Sequence, residues 1–381
     1  MAATYDAIVL GVGGVGSAAL YQLAKRGLRV LGIDRFGIAH DQGSSHGETR
    51  VIRQAYFEHP DYVPLLRQAY RLWDQVEKEA ETELFHRVGL MLCGPADGEA
   101  IPGAKLSAER YGVEIETLSQ NDAKKRFPGF QFPSESGILF EPDAGYLEVE
   151  NCVRTHIELA QRKGALLRTG ETVTGWQAES NGSVRVTTTA GEYHAGSLII
   201  TTGAWASEWL KAIDIPLTVL RKVMLWFAVK TAEYDERAGT PVFYFERPDG
   251  AFFGPPCSDG QTIRLLQHTG GDAVPDPLGV DRGLSRNDVR PLVKFVQETL
   301  PGLDAFPIRH GVCLYTMSPD GHFVVDRHPD HERVVFAAGL SGHGFKFTSV
   351  LGAALSDLAI DGKTDLPVEF LRTSRLQQSA D

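Results

Sequence analysis

Residues 5–35 read YDAIVLGVGGVGSAALYQLAKRGLRVLGIDR, and this stretch decides the fold. The apolar run at 7–10 predicts a buried parallel strand, residues 17–26 have the composition of a helix, and 28–33 predict a second strand. Gly11, Gly13 and Gly16 form the pattern G-x-G-x-x-G between the first strand and the helix. This order of elements is typical of a unit that binds a dinucleotide.

The glycines and the acid that follows them each have a physical role in such a unit. Glycines permit a tight turn, a close approach of the backbone to a pyrophosphate, and close packing of helix on strand. The helix N-terminus offers N–H groups to the phosphates. Asp34 can accept a hydrogen bond from a ribose hydroxyl, which favours FAD or NAD over NADP. The motif does not separate FAD from NAD, and the alternative is a glycine-rich turn without a ligand.

Composition predicts a protein that binds a small molecule. A chain of 381 residues can bury large cores in one very large domain or two intertwined ones. With 49 Asp and Glu against 38 Lys and Arg the net charge is −11, which argues against a nucleic-acid partner. Apolar runs fall short of the roughly 20 residues of a membrane helix. The chain enters its first strand at once and has four scattered cysteines, so we expect no leader, no membrane segment, no metal site and a cytoplasmic location.

The middle of the chain predicts a sheet unlike that of NAD-binding domains. Helical patterns at 61–83 and 148–163 flank a stretch of short strands at 88–140, which we interpret as an insertion. Strand-like runs at 173–178, 184–189 and 197–202 follow, and Asn181-Gly182 predicts a hairpin between the first two. A meander after a strand–helix–strand unit suits an FAD domain better than an NAD domain.

The last third of the chain predicts a second sheet and then a return to the first. Residues 216–269 are rich in strand patterns and predict a broad antiparallel sheet that carries the substrate site. A helix is expected at 287–300. An apolar strand at 334–338, a glycine-rich loop at 339–344 and a helix at 348–360 then repeat the arrangement that points a helix N-terminus at a cofactor.

Three further motifs carry a resemblance to a known family. They are GSSHGETRVIR at 43–53, HGVCLYT at 310–316 and GHGFKF at 342–347. With the glycine loop, over nearly its whole length, the chain resembles the FAD-dependent amine oxidases typified by monomeric sarcosine oxidase and N-methyltryptophan oxidase, including the pipecolate oxidases. The resemblance implies a mixed α/β (α+β) fold with a glutathione-reductase-like FAD-binding Rossmann domain and an antiparallel β-sheet substrate domain. We expect residues 1–85, 143–215 and 306–381 in the former, and 86–142 and 216–305 in the latter.

The resemblance also implies which residues hold the cofactor. Cys313 is the expected covalent anchor through an 8α-S-cysteinyl link to the flavin, with nearby cations lowering the pKa of its thiol. Without its flanking motif, Cys313 is more often a buried structural cysteine. The residues expected to contact FAD are Gly11, Gly13, Gly14, Gly16, Asp34, Arg35, Ser44, Ser45, His46, Arg50, Val173, Gly203, Trp205, Cys313, Gly342, Gly344, Phe345 and Lys346.

For the substrate, the resemblance implies a carboxylate clamp formed by Arg53 and Lys346. Tyr315 and His268 are expected over the substrate, although a core histidine is the rival interpretation of His268. The further residues expected in catalysis are His46 and Arg50 beside the flavin ring and Arg264, which stands where the oxidases carry a lysine that activates dioxygen. Aromatic candidates for the substrate pocket are Trp226, Phe243, Tyr244 and Phe245, with plain core packing as the alternative.

The predicted reaction is oxidation of a secondary or N-methyl amino acid to an imine that hydrolyses, with dioxygen reduced to hydrogen peroxide. The protein is expected to act as a monomer on a small amine. Arginine at position 264 keeps a charge but adds bulk, so the oxygen step is expected to be slow. The alternatives are a flavin dehydrogenase that passes electrons to a quinone or protein, an NAD-dependent dehydrogenase, and a flavoprotein without catalytic activity.

Overall fold

An eight-stranded sheet is built around the first strand in the computed structural model, which describes residues 4–377. Thr4–Leu10 lies between Val30–Asp34 and Glu192–Ile200 and is parallel to both. Leu166–Thr169 extends the sheet on one side. The remaining strands are the antiparallel Val173–Ala178 and Val184–Thr188, which lead into Glu192–Ile200, then His331–Ala338, parallel to Glu192–Ile200, and Val324–His328 at its edge.

Apolar residues bury both faces of the first strand, as its sequence predicts. Ala7 and Val9 belong to one core cluster and Ile8 and Leu10 to another, because successive side chains point to opposite faces. Leu10 is followed at once by the predicted glycine loop. The helices that contribute to the Ala7 and Val9 cluster are Gly14–Lys25, Tyr62–Ala80, Val149–Arg162 and Thr348–Ile360.

A nine-stranded sheet forms the second layer, and its long strand Thr218–Val229 pairs with neighbours on both sides. Across one side follow Thr262–Gln267, Gly250–Gly254, Val242–Arg247, Leu90–Gly94, Gly137–Glu141 and Glu116–Leu118, and Asp272–Ala273 pairs at the near end. The predicted antiparallel sheet is present over residues 216–269, and one parallel pair joins it to an earlier part of the chain. Val242–Arg247 runs parallel to Leu90–Gly94 because these strands come from distant parts of the chain, so no hairpin forces opposite directions.

The long strand Leu303–Met317 covers the other side of Thr218–Val229. The predicted boundary at residue 306 falls inside this strand, which pairs with the nine-stranded sheet instead of returning to the first. Its first half is largely exposed, with Phe306 at 70% and Ile308 at 64%. Because neither face of this half is regularly buried, its sequence is not expected to alternate apolar and polar residues as a half-buried strand does. The division into two domains stays a prediction, and residues 1–3 of its first range and 378–381 of its last range lie outside the described residues.

Short elements complete the fold. Thr49–Ile52, Gly145–Glu148 and Phe85–His86 form a small antiparallel sheet. Ser119 caps the helix Gln120–Arg126, and Ser285 caps Arg286–Thr299 through a capping box. Further helices are Ala100–Tyr111, Ala206–Trp209 and Ser374–Gln377, with 3₁₀ turns at Gly203–Trp205, Lys211–Ile213, Ala232–Tyr234, Glu236–Ala238, Pro277–Gly279, Phe345–Phe347 and Glu369–Leu371.

The sequence predicted several helices with nearly the bounds that the structure has. The expected helices at 148–163, 287–300 and 348–360 are confirmed as Val149–Arg162, Arg286–Thr299 and Thr348–Ile360. The mixed α/β fold class is confirmed as well. Among residues 4–377, none of the helices combines the length and apolar character needed to cross a membrane.

Candidate active site

A cavity is lined by residues of both large sheets. Its empty space is about 1860 Å³, including the part that opens to solvent. Its lining includes the glycine loop and Asp34, and also Arg53, His268 and Lys346. The cavity therefore joins the predicted cofactor loop to the predicted substrate residues.

Glycine is required in the first loop for steric reasons. Gly11 has a φ of +84°, and a Cβ atom there would lie 2.7 Å from the carbonyl oxygen of Thr201. Glycine adopts this backbone conformation without the strain that a side chain would add. A Cβ on Gly16 would lie 1.9 Å from the carbonyl oxygen of Gly11. The loop thus packs its helix tightly on the strand and leaves its outer face to the cavity.

Asp34 fixes the glycine loop through its carboxylate. One oxygen accepts from the backbone N–H of Val12 at 2.7 Å, and the other accepts from that of Phe36 at 2.8 Å. The N–H of Gly14 donates to the hydroxyl of Ser45 at 3.0 Å. The N–H of Gly14 is therefore paired with Ser45, and the expectation that the helix N-terminus offers its N–H groups to phosphates stays a prediction.

The polar segment at 43–53 is hydrogen-bonded to the strand Leu303–Met317 and also within itself. Ser44 donates its hydroxyl hydrogen to the carbonyl of Leu314 at 2.5 Å. Arg50 donates to the carbonyl of Ser44 at 3.0 Å and to that of Thr49 at 2.8 Å. His46 is buried, and burial together with Arg50 lowers the pKa of its imidazole to about 4. The segment is therefore part of the cavity wall and not a solvated loop.

Several buried polar atoms around the cavity fit a bound flavin dinucleotide. Among the described residues, Nη1 of Arg35, Oγ1 of Thr202 and Nε1 of Trp205 have no hydrogen-bond partner although each is buried. Buried polar groups are normally satisfied, so each such atom suggests a ligand atom nearby. All three residues line the cavity beside Asp34. The donor set suits the phosphates and hydroxyls of a dinucleotide.

An ion pair holds the arginine of the predicted carboxylate clamp. Nη2 of Arg53 lies 2.8 and 2.6 Å from the two carboxylate oxygens of Glu58, and its guanidinium stacks on the Phe57 ring at 4.0 Å. Lys346 donates to the carbonyl of His343 at 2.7 Å. Arg53 and Lys346 are both buried and both line the cavity.

The charged groups of this cluster shift the pKa values of one another. Burial and then Arg53 lower the pKa of Lys346 to about 7, although Glu58 opposes both. Burial raises the pKa of Glu58, but Arg53, His343 and Lys346 outweigh it and bring that pKa to about 2. Glu58 is therefore an ionised carboxylate that already occupies the clamp.

His343 links the clamp to a tyrosine. The hydroxyl of Tyr56 is hydrogen-bonded to Nδ1 of His343, and Nε2 of His343 lies 3.0 Å from the carbonyl of Gly321. A carbonyl only accepts, so Nε2 carries the hydrogen and Nδ1 accepts from the tyrosine. Burial lowers the pKa of His343 to about 4, which keeps the ring neutral.

His268 lies in an aromatic part of the cavity. Its Nδ1 lies 3.5 Å from the hydroxyl oxygen of Tyr315, and its ring centroid is 6.2 Å from Phe253 and 6.4 Å from Tyr244. Burial lowers the pKa of His268 to about 3, so its imidazole is neutral. Because His268 lines the cavity, the interpretation as a plain core histidine is wrong.

Cys313 lies behind the cavity wall among cations. Its neighbours across the strands include Lys222, and both are buried. Burial raises the pKa of the Cys313 thiol, and Arg50, Arg264 and Lys222 offset this in part. The predicted lowering effect of nearby cations on the thiol pKa is present, but burial outweighs it and the net shift is upward.

Arg264 is buried with part of its guanidinium unsatisfied. Its Nη2 donates to the carbonyl and the hydroxyl oxygen of Thr49, each at 3.1 Å. Nε and Nη1 have no partner among the described residues. Burial and then Arg50 lower the pKa of Arg264 to about 10, so it stays charged at neutral pH.

Most predicted site residues line this cavity, and a few lie just behind its wall. The predicted residues that line it are Gly11, Gly13, Gly14, Asp34, Arg35, Ser44, Ser45, Arg50, Arg53, Val173, Gly203, Trp205, His268, Tyr315, Gly342, Gly344, Phe345 and Lys346. Those that are not part of its lining are Gly16, His46, Arg264 and Cys313.

One of the four aromatic candidates for the substrate pocket lines the cavity, namely Tyr244. Phe243 and Phe245, its neighbours along the strand, point to the opposite face and pack in the core. Trp226 is not part of the lining, and its indole N–H donates to the carboxylate of Glu48 at 2.8 Å. Sequence reasoning missed Glu58, His343 and Phe253. His343 stands inside the quoted GHGFKF motif, whereas no pattern marks Glu58.

Comparisons with known proteins agree along the whole chain. The family described as FAD dependent oxidoreductase matches residues 6–358. Monomeric sarcosine oxidase of Bacillus sp. (strain B-0618) is 38% identical over 98% of this chain and 97% of its own. N-methyl-L-tryptophan oxidase of Escherichia coli O139:H28 is 34% identical over 98% and 100%.

Solved structures also resemble this chain over nearly its whole length. NikD, described as an unusual amino acid oxidase essential for nikkomycin biosynthesis, superposes with a TM-score of 0.86 at 26% identity over 97% of each chain. L-proline dehydrogenase from P. horikoshii superposes with a TM-score of 0.86 over 100% of this chain and 99% of its own. Its identity is 22%, so this likeness shows a shared fold.

Proposed function

The chain belongs to the FAD-dependent oxidoreductase family that includes monomeric sarcosine oxidase and N-methyl-L-tryptophan oxidase, and from this premise we propose that it oxidises a secondary or N-methyl amino acid. The amine becomes an imine that hydrolyses, and dioxygen becomes hydrogen peroxide. Sarcosine-like, N-methyltryptophan-like and pipecolate-like amino acids are the candidate substrates.

The observation that carries this proposal is the pair of buried cations, Arg53 and Lys346, inside the cavity. A guanidinium matches a carboxylate with two parallel hydrogen bonds, and a lysine adds a point charge. Burial makes both interactions stronger than they are in water. The pair therefore suits the carboxylate of an amino acid, once this carboxylate takes the place of Glu58 on Arg53.

The residues beyond the clamp orient the amine. Tyr315 and the neutral His268 offer a hydroxyl and an imidazole, and Phe253 and Tyr244 supply apolar faces. A neutral environment favours an amine that has released its proton, and holding its C–H bond in a fixed geometry lowers the entropic part of the barrier. Bound FAD supplies the acceptor for the hydride equivalent from that bond.

The cofactor is held by the glycine loop, Asp34, Arg35, the segment at 43–53, Trp205 and the loop at 342–346 in this proposal. Cys313 is the anchor of a covalent link to the flavin. His46, which is buried, and Arg50, which is partly buried, add polar groups beside the ring. The four cysteines are free and buried, which suits a cytoplasmic protein, and the name of the Bacillus relative supports a monomer.

Arg264 supports a second candidate function. Its charge would attract dioxygen as negative charge develops on it, but its Nη2 is committed to Thr49. A slow oxygen step would leave a dehydrogenase that passes electrons to a quinone or a protein. The two candidates share the amine half of the reaction and differ in the electron acceptor.

One experiment tests both halves. Purified holoenzyme is mixed anaerobically with sarcosine, N-methyltryptophan, pipecolate or proline while the flavin absorption is recorded, and air is then admitted. We expect bleaching with at least one amino acid, followed by recovery of the absorption and peroxide formation. Bleaching without recovery in air would select the dehydrogenase. Unchanged absorption with every amino acid at high concentration would reject the amine oxidation itself.

A further inference from the structure

Lys222 is a buried lysine whose ammonium group is fully occupied by one turn of the backbone. Its Nζ donates to the carbonyls of His268, Thr269 and Gly270 at 2.9, 2.9 and 2.8 Å. An ammonium has three hydrogens, so these hydrogen bonds use all of its donors. The side chain is 3% exposed and takes no place in the cavity lining.

Three successive carbonyls point at a common atom in this turn, which is an unusual backbone arrangement. Gly270 and Gly271 have φ values of +67° and +116°. Glycine reaches such values without strain and so makes the turn accessible. Without the ammonium, the converging carbonyl dipoles would repel one another. Burying an ammonium is costly unless its hydrogen bonds are satisfied, so lysine and turn stabilise each other.

The turn begins at His268, directly after the strand Thr262–Gln267. The backbone N–H of His268 donates to the carbonyl of Ala251 at 2.7 Å, and its carbonyl accepts from Lys222. Both backbone groups of His268 are thus bonded, and these bonds fix the direction of its Cα–Cβ bond. The ammonium also lies 5.2 Å from the ring centroid of Tyr315, the hydrogen-bond partner of His268.

The strand register places Lys222 on the same face as this pair. On Leu303–Met317, Cys313 is opposite Lys222 and Tyr315 is opposite Leu220. Residues opposite each other in an antiparallel pair share a face, and so do residues two apart on one strand. Lys222, Cys313 and Tyr315 therefore lie on one side of the sheet.

We propose that Lys222 is a positioning residue that holds His268 and Tyr315 in the orientation that receives the substrate nitrogen. The inference rests on the proposed function for the role of His268. Lys222 acts through the turn at 268–270 and touches no substrate. Replacing it changes recognition of the nitrogen and leaves the carboxylate clamp of Arg53 and Lys346 intact.

The test compares two ligands of the oxidised holoenzyme by their effect on the flavin absorption. Glycine betaine carries a carboxylate and a quaternary nitrogen, whereas propionate carries the carboxylate alone. We expect Lys222→Met to weaken betaine binding about tenfold while the dissociation constant of propionate changes less than about twofold. Lys222→Arg keeps charge and donors and restores most of the betaine affinity.

A double-mutant cycle separates positioning from general loosening. His268→Ala removes the ring that Lys222 orients, so Lys222→Met should add little further loss of betaine affinity in that background. Lys230→Met is the matched control, since Lys230 follows the same strand, is half-exposed and pairs with Asp304 at 3.3 Å. It should bind both ligands as the wild type does.

Each outcome decides the inference. Equal weakening of both ligands, or losses that simply add in the cycle, would assign Lys222 a purely structural role and overturn it. Unchanged binding in Lys222→Met would overturn it as well. If Lys222→Met yields no folded protein, Lys222→Gln, with two N–H donors, is compared in the same way. A wild type that binds neither carboxylate rejects the proposed function itself and the inference with it.

Discussion

Arg53 and Glu58 form an ion pair within the cavity through one nitrogen of the arginine, Nη2, which lies 2.8 and 2.6 Å from the two carboxylate oxygens. The pair keeps a buried guanidinium compensated while the clamp holds no substrate. A substrate carboxylate on Arg53 has to compete with this internal carboxylate. Glu58 therefore sets the affinity of the clamp although it has the same charge as the substrate group.

Replacing Glu58 by glutamine should tighten carboxylate binding. The change removes the competing charge and leaves Arg53 and Lys346 to the ligand, so the dissociation constant of propionate should fall about tenfold, which corresponds to about 1.4 kcal/mol. Titration followed by the flavin absorption measures it. Glu99→Gln, which changes a carboxylate outside the cavity lining, is the control. An unchanged or weaker affinity in Glu58→Gln would contradict the competition.

Removing both cations of the clamp should abolish productive binding. Arg53→Ala with Lys346→Ala leaves Glu58 buried without its partners. We expect kcat/KM to fall by about 10³, or about 4 kcal/mol. Steady-state kinetics with the best amino acid substrate measures the loss. Lys294→Ala, at an exposed lysine, should have wild-type kinetics. Turnover near the wild-type rate in the double variant would exclude the clamp.

Carboxylate affinity should fall as the pH rises. The pKa of Lys346 is lowered to about 7 by burial and by Arg53, so the free protein loses this charge above about pH 7. A bound carboxylate stabilises the charged form, and the bound state therefore holds a proton that the free protein releases. The dissociation constant of propionate should be constant below about pH 6 and rise by up to about tenfold per pH unit above about 7.

Lys346→Met is the control for this pH dependence. Its propionate affinity should be weaker than that of the wild type and constant between about pH 6 and 9, since the group that titrates is gone. Burial is the largest cause of the lowered pKa of Lys346, and it does not depend on salt. The affinity of the wild type is therefore expected to fall with rising pH at any ionic strength. A wild-type affinity that increases with pH would show that another group controls the clamp.

The flavin should remain with the protein after acid precipitation, and this retention should depend on Cys313. In Cys313→Ala we expect the yellow colour in the supernatant instead of the pellet. Cys257→Ser is the matched control because Cys257 is a buried cysteine outside the cavity lining, whose thiol hydrogen-bonds to Asp259 at 3.4 Å. Colour released from the wild type would reject the covalent link and keep FAD as a dissociable cofactor.

Gly342 should tolerate no side chain because of Tyr315. Its φ is +80°, and a Cβ would lie 2.2 Å from the tyrosine ring. Gly27 also has positive φ, at +76°, but its Cβ would meet no atom within 4 Å. Gly27→Ala should therefore cost about 1 kcal/mol of stability by thermal unfolding and leave kcat/KM unchanged. Gly342→Ala should lower kcat/KM at least about tenfold by displacing Tyr315.

Local sequence patterns predicted the elements that bury apolar runs. The strand–loop–helix order at residues 4–34 and the helix Thr348–Ile360 follow from periodicity and glycine placement. Patterns failed for Leu303–Met317, whose first half is exposed and whose partner Thr218–Val229 is far away in the sequence. Strand pairing across such distances depends on packing that no short window contains.

The site residues likewise fall into those that local motifs predicted and those that they did not. Residues inside the resemblance motifs, such as Arg53 and Lys346, were predicted, and the structure brings them to one cavity. Glu58 and Lys222 were not predicted, because their significance arises from partners outside their own segments, namely Arg53 and the turn at 268–270. A charge acquires its role from the groups around it in space.

The helix Gly14–Lys25 packs so closely on Thr348–Ile360 that a Cβ on Gly352 would lie 2.6 Å from Ala18. The first helix therefore lacks this one packing partner until residues 348–360 have been synthesised, although Val149–Arg162 reaches the same cluster much earlier. At about 5–20 residues per second, a ribosome needs tens of seconds to reach Thr348–Ile360. The part of the helix that Thr348–Ile360 covers stays without this partner throughout that interval, so the glycine loop is expected to reach its final packing only after residue 360 has been made.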